Sequence, residues 1–99
     1  MKKTYEIYQI QDANNPKLFL PYELLNKRGL KPDISEYTKV YEAPLNKNSL
    51  EDIFRLLNED NRPNRTTSRS LSVSDIILIK EENKTTMWYV DIFGFKEIT

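Results

Sequence analysis

The sequence predicts an α+β domain, with a mainly antiparallel four-stranded sheet in the order β-α-β-α-β-β and two helices packed on it. Three observations carry that reading. Thr4 to Ile10 and Glu36 to Ala43 are short stretches rich in tyrosine and β-branched residues, the composition of strands. Leu50, Ile53, Phe54 and Leu57 fall at i, i+3, i+4 and i+7, which is one helical stripe. The last third holds two strand-like runs on either side of a polar turn. Strands and helices in this uneven order suit helices laid on an antiparallel sheet.

The first strand, Thr4 to Ile10, alternates imperfectly, so either both of its faces are partly covered or a bulge interrupts it. Asp12-Ala-Asn-Asn-Pro16 is a dense turn signal. A short helix is expected from Pro21, a residue suited to the first helical position. Lys27 and Arg28 lie in its last turn, and Gly29 follows as the left-handed terminator with Leu30 as its apolar companion. Pro32 prevents resumption, and Leu20, Leu24 and Leu25 are expected to face the core. The second strand, Glu36 to Ala43, stops at Pro44. In the second helix, Ser49 with Asp52 three residues later resembles a capping box, and Glu59-Asp-Asn-Arg-Pro63 ends it. Asn61 to Ser70 is a polar loop. Ile76-Ile-Leu-Ile79 is apolar at every position and should be a central strand covered on both faces. Glu81-Glu-Asn-Lys-Thr85 makes the reversal, and Thr86 to Ile92 returns.

Ninety-nine residues make one domain, with no internal repeat or linker. Fifteen basic and fifteen acidic residues balance, with a pI near 6.3, which argues against a generic duplex-DNA binder and against an acidic DNA mimic. The absence of cysteine excludes disulfides and thiolate metal sites. No apolar run approaches the roughly 20 residues of a membrane span, and Met1-Lys-Lys-Thr-Tyr-Glu-Ile turns polar before a signal-peptide core. A cytoplasmic protein that does not engage the membrane is expected.

Ser70-Leu-Ser-Val-Ser-Asp-Ile-Ile-Leu-Ile79 followed by Trp88-Tyr-Val-Asp-Ile-Phe-Gly-Phe-Lys-Glu-Ile98 resembles the signature of YodL-like domains. In that family a Ser-Leu/Met-Ser-Val-Ser/Gly-Asp turn enters an apolar strand, and the partner strand ends in Tyr-Val-Asp-x-Phe-Gly-Phe. Tyr5-Glu-Ile-Tyr-Gln-Ile10, Tyr37-Thr-Lys-Val-Tyr41 and Leu50-Glu-Asp-Ile-Phe54 extend the resemblance upstream. Members often carry a Gly-His or similar pair just before the motif. Here Ser68-Arg69 stands instead, so a role tied to that histidine does not transfer. The resemblance implies a domain of Gram-positive bacteria and their mobile elements, with no established enzymatic activity.

Ser70, Ser72, Ser74 and Asp75 invite a nucleophile reading, but the chain has no histidine to act as base. The expected role of these groups is to bond the backbone of a turn entering a buried strand. Phe93, Gly94 and Phe95 form either a core edge or an aromatic contact surface, with both phenylalanines on one side of the strand. Asp91, sharing a face with Met87 and Tyr89, reads as a structural carboxylate. Arg62, Arg65 and Arg69 concentrate positive charge, with no acid between Asn61 and Ser74. They suit a partner's carboxylates or phosphates, or else a solvated loop. Tyr37, Lys39 and Tyr41 alternate as a base-stacking platform would, or as a half-buried strand. The carboxylates are unclustered, so neither metal nor other cofactor is expected.

These features predict a non-catalytic binding protein that inhibits or modulates a host protein, plausibly a defence component such as a CRISPR nuclease. Arg62, Arg65 and Arg69, with Tyr37 and Tyr41, are the expected contact residues. Two alternatives stand beside it: a single-stranded nucleic-acid module using the arginines and tyrosines, and a modulator of host cell-envelope growth. Neither the partner's identity nor the oligomeric state is encoded in a readable motif.

Overall fold

A computed structural model describes residues 3–46, 49–63 and 68–98. Its elements are β1 (Thr4–Gln9), α1 (Tyr22–Lys27), a single 3₁₀ turn (Ile34–Glu36), β2 (Thr38–Pro44), α2 (Leu50–Leu56), β3 (Ile76–Glu81), β4 (Lys84–Val90) and β5 (Phe95–Ile98). The strands form one sheet in the order β2-β1-β3-β4-β5, antiparallel throughout. The α+β class holds, but the sheet has five strands rather than the four expected. The return strand does not run on to Ile92. It stops at Val90, and the chain reverses through Asp91–Gly94, closed by the Asp91 amide donating to the Gly94 carbonyl at 3.0 Å. Gly94 has φ +86°, a conformation open chiefly to glycine, and Phe95 then starts a new edge strand.

β1 lies inside the sheet, paired on both sides, which accounts for its weak alternation. Both expected causes operate. Each face is covered, and against β2 the register slips between Ile7 and Tyr8, leaving Val40 as the extra residue of a bulge. β3 is the middle strand. Ile77 packs toward α2 with Tyr5, Ile7, Ile53, Leu57, Leu71 and Val90, while Ile76 packs on the opposite face with Leu20, Leu25 and Tyr89. The helices therefore sit on opposite faces of the sheet. Burying Ile53 and Leu57 contributes about 1.5–3 kcal/mol each before entropy.

The helix ends follow from local chemistry. Ser49 Oγ accepts from the Asp52 amide, the first half of a capping box. At the end of α1, the Leu30 amide donates to the Leu25 carbonyl and the Gly29 amide to that of Asn26, both at 3.0 Å, with Gly29 at φ +69°. That is a Schellman motif on the residues the sequence nominates. Pro21 is the N-cap rather than the first helical residue.

Leu24 does not face the core as expected, and the α2 stripe is only partly buried. Leu24 is 40% exposed and Phe54 37%, since each helix touches the sheet over a narrower stripe than its apolar residues span. α2 also ends earlier than expected, capped by Leu57, and Glu36 belongs to the 3₁₀ turn rather than to β2.

Candidate functional site

One end of the sheet gathers nearly every residue that the sequence singles out. There β1 ends, β3 begins, and β4 turns into β5. The Ser70–Asp75 turn is tied to β4 in both directions. The Ser74 amide donates to the Val90 carbonyl, and the Val90 amide to that of Asp75, each at 2.9 Å. Ser74 takes φ +82°, a left-handed conformation. Its hydroxyl accepts from the Phe19 amide at 2.9 Å, and its carbonyl accepts from the Tyr37 hydroxyl at 2.6 Å. Tyr89, also buried here, donates its hydroxyl to the Leu20 carbonyl at 2.6 Å. Burial pushes both the Tyr37 and Tyr89 phenols well above their ordinary value, so both stay protonated donors.

Asp75 is fully buried at the centre of this network. One carboxylate oxygen accepts from Arg69 Nη2 at 3.1 Å. The other accepts from the Ser72 amide at 2.8 Å and from Gln9 Nε2 at 3.0 Å. Burial pushes its carboxyl up to about 6, opposed by the Ser72 amide, Arg69 and Gln9. Arg69 also donates to the Ile10 carbonyl at 3.2 Å and lies over the Phe19 ring, 5.3 Å from its centroid. The network thus locks three loops and the end of β1 into one unit. Gln9 was missed by sequence reading. The available signal was an amide on the same face as Tyr5 and Ile7, where an apolar residue would be routine.

The Ser72 and Ser74 hydroxyls are held by backbone groups. Ser72 Oγ donates to the Ser70 carbonyl at 3.2 Å, and Ser74 Oγ serves Phe19. Asp91 accepts from the Tyr22 amide at 3.2 Å and from the Ile92 amide at 2.9 Å, so it caps α1 from the neighbouring turn. Arg62 donates to the Ser68 carbonyl at 3.3 Å. Arg65 lies outside the described residues. Tyr37 and Tyr41 do not share a platform. Tyr37 precedes β2 and packs on the α1 face, whereas Tyr41 packs on the α2 face, 6.1 Å from the Tyr5 ring centroid. The bulge at Val40 breaks the alternation that would have aligned them. Among the described residues, no group of acidic side chains is gathered so as to hold a metal ion. No helix among them is long and apolar enough to cross a membrane.

Large apolar groups also face outward at this end. Phe93, at the tip of the β4–β5 turn, is 93% exposed, and Ile92 beside it is 56% exposed. Phe95, in contrast, turns inward to the α2-face core and meets Phe54 edge to face at 6.3 Å. The two phenylalanines therefore part company because the strand reverses between them. Ile92 borders two grooves of about 550 Å³, one against α2 and one against α1. Ile92, Phe54 and Phe19 as exposed groups were also missed, since exposure depends on what tertiary packing leaves uncovered.

Residues 4–99 match the family model described as the YodL-like domain, and the chain belongs to that family. No curated protein and no solved structure matches it.

Proposed function

We propose that this chain is a non-catalytic binding protein that modulates a partner protein by seating the Ile92–Phe93 tip against it. The observation that carries the reading is Phe93, almost wholly exposed on a turn that internal hydrogen bonds hold in place. An aromatic on a fixed turn meets a partner with little ordering cost, the property of a binding hot spot. Arg69 takes a lesser part in this reading, because it is engaged with Asp75 and Ile10. The partner we favour is a host defence component such as a CRISPR nuclease, a choice that rests on the mobile-element setting implied by the family resemblance.

The test is affinity capture from a host lysate with the full chain and with Phe93→Ser and Ile92→Ser, each confirmed folded by its melting curve. A protein retained by the parent chain and lost with both variants is expected. An identical set of captured proteins in all three would overturn the proposal.

One observation favours a second reading, binding of single-stranded nucleic acid: Arg69 lies over the exposed ring of Phe19, an arrangement on which a base can stack. It predicts binding to single-stranded oligonucleotides that falls steeply with salt. Absent or salt-insensitive binding in a polarisation titration removes it.

A further inference from the structure

The groove between α2 and the β4–β5 turn combines an apolar floor with a charged rim of one dominant sign. Phe54, Ile92 and Phe95 form the floor, and the volume of about 550 Å³ lies within the range of pockets that take ligands. Glu51 and Glu59 border it from α2 and its C-terminal turn, and Asp91 borders it from the β4–β5 turn. Among the described residues of this rim the one cation is Arg55, which already lies 3.4 Å from Asp52. In a chain whose charges balance overall, this surface carries a local surplus of negative charge.

A floor of this kind takes an apolar side chain, and a rim of this sign takes cations beside it. We infer that the groove docks a segment of a protein partner in which a large apolar anchor is flanked by lysine or arginine. This rests on the binding reading above and deepens it by specifying the chemistry of the bound segment. The anchor supplies most of the affinity through burial against Phe54, Ile92 and Phe95. The flanking cations orient the segment and speed its encounter, an effect that salt screens. Nucleic acid is a poor occupant, since its phosphates would face Glu51 and Glu59.

The experiment pans a displayed library of short random peptides against the full chain, with counter-selection on Phe54→Ser. Enriched peptides are expected to carry an aromatic or aliphatic anchor next to lysine or arginine. Their binding should shift backbone amide resonances of α2 and of residues 91–95. For one such synthetic peptide, Glu51→Lys combined with Glu59→Lys should weaken binding about tenfold at low salt, with the gap closing as salt rises. Both glutamates are exposed, so this variant keeps its fold, which a melting curve checks. Enrichment of acidic or uncharged peptides overturns the inference, as does no groove-dependent enrichment, or equal affinity for the charge-reversed chain. If any of these occurs while partner capture still depends on Phe93, the groove assignment fails and the broader binding reading stands. If capture is also indifferent to Phe93, both fail.

Discussion

Asp75 places an ionisable group where water does not reach, and its stability consequence can be signed. Burial raises its carboxyl from 3.8 to about 6 in the folded chain, against the pull of the Ser72 amide, Arg69 and Gln9. Between those values the folded form binds a proton that the unfolded form has released. The contribution is therefore fully present below about 4 and is lost as pH rises through about 6. Urea titrations of the parent chain and Asp75→Asn should show the parent gaining about 1 kcal/mol relative to the variant between pH 7 and pH 5. A constant difference would contradict this. Ser74 presents a second case. Its left-handed backbone disfavours any side chain, yet its hydroxyl satisfies the Phe19 amide. Ser74→Ala keeps the strain and loses the bond, whereas Ser74→Gly loses the bond but relieves the strain. The alanine variant should be less stable than the glycine variant by about 1 kcal/mol in the same titration.

At the level of elements, α1 shows how little a short helix can do alone. Six residues cannot repay the cost of nucleation, so α1 depends on its ends and on Leu25. Asp91 serves the Tyr22 amide at one end, and the Gly29 Schellman motif closes the other. Asp91→Ala should cost about 1 kcal/mol and speed amide exchange in α1 before that of the sheet. Gly29→Ala should cost about 1 kcal/mol, from its φ of +69° and not from crowding, because a Cβ there meets nothing within 4 Å. A melting temperature unchanged by Gly29→Ala would contradict the conformational account. The Gly29 terminator and the Ser49 cap were legible in the sequence because their signals lie within a few residues of the ends they fix, whereas Asp91 reaches the start of α1 from 69 residues away. β5 was not legible, since Phe93 and Phe95 at alternate positions read as continued strand. Only the left-handed Gly94 decides that the chain reverses there. The exposure of Leu24 and Phe54 was hidden for a different reason: spacing marks an apolar stripe but not how wide a strip of it the sheet covers.

Across the whole molecule, the interior position of β1 dictates how much chain the fold requires. Its partners are β2 on one side and β3 on the other, and Gln9 reaches Asp75 across a separation of 66 residues. That distance explains the uneven legibility of the site. The Ser70–Asp75 turn was readable as a turn, but its burial depends on Gln9, Phe19 and Tyr37, which arrive from remote parts of the chain. The same topology makes a prediction about a chain ending at Pro63, which keeps β1, α1, β2 and α2. There β1 lacks its β3 neighbour, so one side of its ladder is unpaired. Tyr5, Ile7, Ile53 and Leu57 lose Ile77, Val90 and Leu71 from their core, and Leu20 and Leu25 lose Ile76 and Tyr89 from theirs. A two-stranded sheet with both faces stripped in this way does not offset the entropy of ordering the chain. The shortened chain should show disordered far-UV circular dichroism and no cooperative melting transition. A dispersed amide spectrum with a sharp melt would mean that the β1–β2 ribbon and α2 fold on their own. In that case, β3 would add to a completed scaffold instead of creating it.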